Sequence, residues 1–316
     1  MKPVALSQHD PGGVVRPPRL SIIVPCYNSE TTIGVTVESV LRSDFRDFEL
    51  IVVDDCSTDR SAEIAARLGA KVLKLENNLG AANARNAGAR QAAGEIIVFV
   101  DADVSLPKVA LGRISDDLMN EGISCVQAIY SRHCPIENFP SQYQNLYQFY
   151  NFDQIRATHI QIASTYCFAV RRKDFIELNV RQRTAEDGEW GYRLFRQGKP
   201  ILLDKGVQVE HHQRFTLGKV LKRSYRISAD KAASVKRYRE QAATSLGKTH
   251  HSWQKVAAIL CSPIPPLFWL LNLRFFRFVL QEKGGAFLVK TVIFHEANYL
   301  ASLFGLVQGT LRSDQS

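Results

Sequence analysis

An α/β fold, with helices on both faces of a mainly parallel sheet, is what this 316-residue sequence predicts, on three observations. Apolar runs too short for anything but buried strands recur at Leu20–Pro25, Glu49–Val53 and Glu95–Val100. Segments of helical periodicity separate them, the βαβα order of parallel sheets. Each run also stops at a polar cluster: Cys26-Tyr27-Asn28, Asp54-Asp55 and Asp101-Ala102-Asp103.

The elements follow in order. Met1–Pro18 is rich in Pro and Gly and lacks an apolar core, so it reads as a flexible lead and not a secretory signal; a cytoplasmic protein is expected. The first strand, Leu20–Pro25, is stopped by its proline. The helix Thr31–Leu41 then turns Ile33, Val37, Val40 and Leu41 inward. After the strand Glu49–Val53, the cluster Asp54–Asp59 opens a helix over Ser61–Leu68, and Lys71–Leu75 is the next strand. The Ala-rich helix Asn83–Ala93 leads through Gly94 into the strand that ends at Asp101. With 45% apolar and 22% charged residues the chain is globular, and it divides into a lead (1–18), a catalytic α/β domain (19–212) and a basic, apolar helical region (213–316). Its six cysteines have neither paired nor metal-site spacing and read as small buried hydrophobes in a reducing compartment.

The formal charge of +9 is unevenly placed. Between Arg214 and Arg239 nine cations face one acid, Asp230, and Leu217, Val220, Leu221 and Tyr225 recur at helical spacing. This basic amphipathic helix is suited to phosphates on a nucleotide, a lipid carrier or an anionic membrane; a solvated helix face is the plain alternative. Pro263–Leu280 and Ala286–Val307 are aromatic-rich, but prolines and arginines interrupt the first, and Lys290, His295 and Glu296 the second. Helices lying in a bilayer interface fit them better than spans, with core packing or an oligomer contact as alternatives.

In open parallel sheets ligands bind beyond the carboxyl ends of the strands, so all three polar clusters should share one rim. Residues i and i+2 of a strand point the same way, so Asp101 and Asp103 are expected to converge on one hard cation, or on a cation and a sugar hydroxyl; a solvated turn is the alternative. A tyrosine to stack on a base, a carboxylate for base or ribose, and a metal pair for a diphosphate describe a nucleoside-diphosphate site. The chain lacks both G-x-x-x-x-G-K-[ST] and a G-x-G-x-x-G after the first strand. Metal and arginine must therefore neutralise the diphosphate.

Ser21–Asn28, Glu49–Asp59, Asn86-Ala87-Gly88 and Asp101-Ala102-Asp103 together resemble the inverting family 2 glycosyltransferases, which have the GT-A fold, over about Leu20–His212. The resemblance implies a nucleoside-diphosphate sugar donor, UDP-sugar favoured, a divalent cation, Mn²⁺ or Mg²⁺, and inverting transfer to an acceptor hydroxyl. It implies Pro25, Tyr27 and Glu30 in the nucleoside pocket, Asp55 on the base, Arg85 near the diphosphate, Asp101 with Ala102 on ribose or sugar, and Asp103 on the metal. It places the catalytic base at Asp187 of the Glu186–Asp187 pair, just before a helix that buries Trp190, Leu194 and Phe195. His212, not separable from its neighbour His211 by sequence, is assigned to the metal and donor, and Arg214 to the diphosphate. Phe175–Val180 lacks the glycines many relatives carry there, so the acceptor class does not carry over.

The basic helix and aromatic segments point to an acceptor that is lipid-linked, in cell-envelope polysaccharide synthesis, with the protein peripheral or monotopic at the inner face of the cell membrane. No nucleic-acid partner is expected. The rivals are a membrane-bound nucleotide-sugar-binding or scaffold protein without turnover, and a nucleotidyltransferase. The latter would show a Gly-rich basic loop after the first strand, and Pro25–Asn28 is not one.

Overall fold

The computed structural model describes residues 16–161, 163–175, 190–191, 193–194, 197–237 and 261–312. These fall into two compact units, one running up to Pro135 and resuming over Arg156–Gln213, the other made of Ile136–Ile155 and the chain from Arg214 onward.

The first unit is the predicted α/β layer structure. Its elements are β1 (Leu20–Cys26), α1 (Ile33–Leu41), β2 (Phe48–Asp54), α2 (Ser61–Arg67), β3 (Lys71–Lys74), α3 (Ala81–Gln91), β4 (Ile96–Val100), β5 (Val104–Ser105), α4 (Ala110–Asp117) and β6 (Cys125–Tyr130). After α5 (Phe139–Asp153), which belongs to the second unit, come β7 (His159–Ile160), β8 (Cys167–Arg171) and β9 (Ile201–His211). The sheet order is β3-β2-β1-β4-β8-β6-β9-β5, with β7 also on β9. The first four strands are parallel, and β8 enters antiparallel between β4 and β6.

The apolar strands are central because both faces are covered: every residue of β1 and β4 is buried. Each large side chain so buried stabilises the fold by about 1.5–3 kcal/mol. Pro25 does not end β1, which continues to Cys26 opposite Asp54. The pairing with β4 stops at Ile23, and Cys26 O accepts from Asp55 N on the β2 side, so by strand alternation the missing N–H of Pro25 lies on the edge where no ladder continues. Gly88 lets α3 lie close on the sheet, since a Cβ there would stand 2.5 Å from Ile23 Cγ2 and 2.9 Å from Val53 Cγ2. Trp190 and Leu194 are buried in this core as expected, with Trp190 edge-on to Phe99 at 4.9 Å; Phe195 lies outside the described residues.

The second unit is helical: α5, α6 (Leu217–Arg237), α7 (Pro265–Leu271) and α8 (Leu273–Arg312), the last broken at Gly284, whose φ is 78°. The second unit includes α5, whose aromatic face packs with the C-terminal helices: Phe149 stacks on Phe278 and Tyr143 meets Phe294 edge-on. At the centre His295 is fully buried, bonded to Tyr143 Oη (2.7 Å) and Asn272 Oδ1 (3.1 Å). It is thus a core histidine, not a charge breaking an apolar run. Gly305 and Gly309 face the backbone of Tyr225 and Ala229, so α6 and α8 run parallel with backbones nearly touching. Among the described residues, no helix is long and apolar enough to cross a membrane.

Candidate functional site

The carboxyl ends of β1, β2 and β4 open on one rim, because these strands are parallel neighbours. Two tight turns shape it. Asn28 (φ 48°) and Cys56 (φ 64°) both take left-handed backbone, and the turns are laced together: Asn28 N donates to Ser57 Oγ, Asn28 Oδ1 accepts from Thr58 N, and Glu30 N donates to Asp59. Tyr27, in the first turn, is half exposed, and Pro25 is buried. Glu30 turns toward the opposite loop, where its carboxylate accepts from Arg60 N and pairs with the guanidinium at 3.6 Å.

Asp54 and Asp55 are both buried but differ in employment. Asp54 Oδ1 accepts from Ser57 N within its own turn (3.1 Å). Asp55 reaches across to the loop before α3, where Oδ1 accepts from Leu79 N and Oδ2 from Gly80 N, each at 2.8 Å. It thereby fixes the start of the helix that carries Arg85.

Arg85 is 3% exposed, and its Nη2 donates to Asp101 Oδ1 at 2.6 Å. The pairing of Asp101 and Asp103 differs from the alternation expected of a strand. Residues 101–103 form a turn after β4, closed by Val104 N donating to Asp101 O, with Ala102 buried in it. Asp101 therefore faces Arg85, while Asp103 faces β9, where His211 Nε2 stands 3.3 Å from its Oδ2. Both partners of that second pair are mostly buried.

Strand alternation separates His212 from its neighbour His211. His211 is the last residue of β9, paired with Val104, and it points to Asp103. His212 points the other way: its N–H donates to Asp103 O (2.7 Å), and its ring is bonded to Ser105 Oγ (2.8 Å). Burial pushes His212 below the ordinary imidazole range, with Glu210 and Asp103 only partly opposing, so it is neutral at pH 7. His211 is the residue sequence reasoning left unresolved; only the register of β9 separates the two.

Among the described residues no cluster of three or more metal-binding side chains occurs. The Asp103–His211 pair still fits a divalent cation completed by ligand oxygens and water. Two donors at about 2.1 Å from an octahedral ion stand about 3 Å apart, close to the separation seen. Arg214 is exposed and opens the second unit. Glu186 and Asp187 lie outside the described residues, as does most of Phe175–Val180.

At the carboxyl ends of the parallel strands of this mixed sheet, the rim carries an exposed tyrosine, buried carboxylates, a buried arginine and an Asp–His pair. The family model described as Glycosyl transferase family 2 matches residues 21–178, half of the chain, and the protein belongs to that family. The poly(ribitol-phosphate) beta-N-acetylglucosaminyltransferase TarS of Staphylococcus aureus is 42% identical over 100 residues, 29% of this chain and 18% of TarS. The Escherichia coli protein WfaP, a UDP-Glc:alpha-D-GlcNAc-diphosphoundecaprenol beta-1,3-glucosyltransferase, is 39% identical over 87 residues, 27% of this chain and 35% of WfaP. The chain thus matches only a minor part of these relatives' length.

Among solved structures, the mannosyltransferase PcManGT of Pyrobaculum calidifontis, in complex with GDP-Man and Mn²⁺, superposes with a TM-score of 0.60 at 19% identity, covering 92% of this chain and 88% of that one. TarS residues 1–349 with UDP-GlcNAc give 0.51 at 18% identity, covering 94% and 92%. The likeness establishes the GT-A fold.

Proposed function

We propose that this protein transfers a sugar from a nucleoside-diphosphate sugar, a UDP-sugar in preference, to an acceptor hydroxyl with inversion at the anomeric carbon, using Mn²⁺ or Mg²⁺. The observation that carries the reading is the single rim on which Asp55, the Arg85–Asp101 pair and the Asp103–His211 pair gather. Tyr27 stacks on the base and Asp55 receives its N–H; the buried Arg85 brings positive charge toward the diphosphate and orients Asp101 toward ribose or sugar. Asp103 and His211 would hold the cation, which when bound supplies Lewis-acid stabilisation of the departing diphosphate. His212 and Ser105 keep the Asp103 turn docked on β9.

Asp187, carried over from the family pattern, takes the acceptor proton as its oxygen attacks. The position of Trp190, buried three residues later, supports an acidic pair leading into an anchored helix. Arg214 is read as a further cation for the diphosphate.

Cell-envelope polysaccharide synthesis on a lipid-linked acceptor, at the inner face of the membrane, is the setting we favour; it is supported by the diphosphoundecaprenol substrate in the name of WfaP and by the cationic helical unit. Release of nucleoside diphosphate by purified protein tests the chemistry. Asp187→Asn is expected to lower kcat about 10²- to 10⁴-fold with the donor KM little changed. Equal rates in both proteins would end the assignment of the base.

A further inference from the structure

Sixteen lysines and arginines against seven acidic residues place the whole +9 excess in the helical unit, leaving the sheet unit neutral. On that same unit lies an apolar surface. From α7 to the first residue of α8, Leu267, Trp269, Leu270, Leu271 and Leu273 are all exposed, Leu270 to 67%, while Phe268 and Asn272 turn inward. Beyond the break at Gly284, α8 exposes Val289, Ile293 (69%), Phe304 and Val307. At about 100° per residue these positions, with Glu296, fall within about 80° of one another, on one side of the helix. Trp269 Nε1 donates to Glu296 Oε2 (3.1 Å), which joins the two patches and satisfies the acid that lies on the strip.

We propose that this strip is a monotopic seat on an anionic bilayer, α7 and the outer side of α8 lying in the interface. It rests on the membrane placement proposed above and names the surface responsible. Three observations select lipid as the occupant. The strip is fringed by exposed cations, Arg274 and Arg277 beside Leu273 and Lys290 beside Val289, whose stems can lie along apolar tails while the heads meet phosphates. No acidic residue occurs between Glu240 and Glu282. A second copy docked face to face would set these cations against themselves, whereas lipid headgroups neutralise them. An indole among the exposed side chains of the patch suits a bilayer interface.

The test is flotation of the full chain with vesicles of phosphatidylglycerol and phosphatidylcholine, beside vesicles of phosphatidylcholine alone. Wild type is expected to float with the anionic vesicles and weakly with the neutral ones. Leu270→Glu and Ile293→Glu, on separate helices, are each expected to reduce partitioning about tenfold, equal to about 1.4 kcal/mol, and together about a hundredfold. Met119→Glu, an exposed apolar residue of the sheet unit, is expected to change nothing. Thermal stabilisation by UDP and Mn²⁺ should persist in all variants, which separates a failed seat from a failed donor site. Wild type that stays with the soluble fraction, variants that float as well as wild type, or a concentration-dependent dimer abolished by Leu270→Glu would each overturn the proposal.

Discussion

Replacing Asp55 by alanine tests the logic of the rim most directly. Its two carboxylate oxygens each accept one backbone N–H, from Leu79 and Gly80, and the residue is 3% exposed. Truncation leaves two N–H groups without partners in a water-poor site. Hydrogen bonds to charged groups contribute about 1.5–3 kcal/mol each, and removing the carboxylate's own desolvation cost returns part of that, so a net loss of about 3 kcal/mol is expected. With a urea dependence of about 2–3 kcal/mol/M, the sheet unit's midpoint should fall by about 1 M. Asp55→Asn keeps one acceptor oxygen and should lose roughly half as much. Because the freed loop begins α3, the placement of Arg85 loosens too, and UDP affinity should drop at least about tenfold by calorimetry. If Asp55→Ala unfolds at the wild-type midpoint and binds UDP unchanged, the carboxylate neither anchors the loop nor serves the site.

Two further outcomes follow from the geometry. His211→Ala is expected to raise the Mn²⁺ concentration needed for half-maximal activity at least about tenfold, whereas His212→Ala should chiefly lower thermal stability; a manganese titration showing the reverse would return the metal role to His212. In the helical unit, burial pushes His295 down to about 3, so its folded-state value lies below the unfolded one. The stability it contributes is therefore complete above about pH 6.5 and lost as pH falls toward 3, with a slope approaching about 1.4 kcal/mol per pH unit. His295→Gln should flatten the pH dependence of the urea midpoint between pH 6 and 4, and an unchanged slope would count against a neutral buried imidazole.

Much of this was open to inspection in the chain itself. The runs at β1, β2 and β4 declare themselves because strands covered on both faces are continuously apolar, and parallel order then forces their polar ends onto one rim. The basic helix likewise showed through its periodicity. What stayed hidden depended on register and on distant partners. Whether His211 or His212 faces Asp103 is decided by which residue of β9 sits opposite Val104. Asp101 and Asp103 part company because a turn, not a strand, joins them. Pro25 stays inside β1 because the neighbouring ladder had already stopped. The helix α5, dense in Tyr, Phe and Gln, carries no marker of which core will receive it.

That last assignment bears on how the molecule comes into being. The helix α5 is synthesised in the middle of the sheet unit's sequence, yet Tyr143 and Phe149 find their places only against Phe294 and Phe278, some 130 residues or more downstream. The seam between α6 and α8 closes only once Gly305 and Gly309 exist. During translation, then, a sticky aromatic segment waits unpaired while the sheet has every strand it needs. Such a chain gives chaperones a reason to linger on the nascent polypeptide, and makes premature termination before Gly309 more damaging than its few missing residues imply.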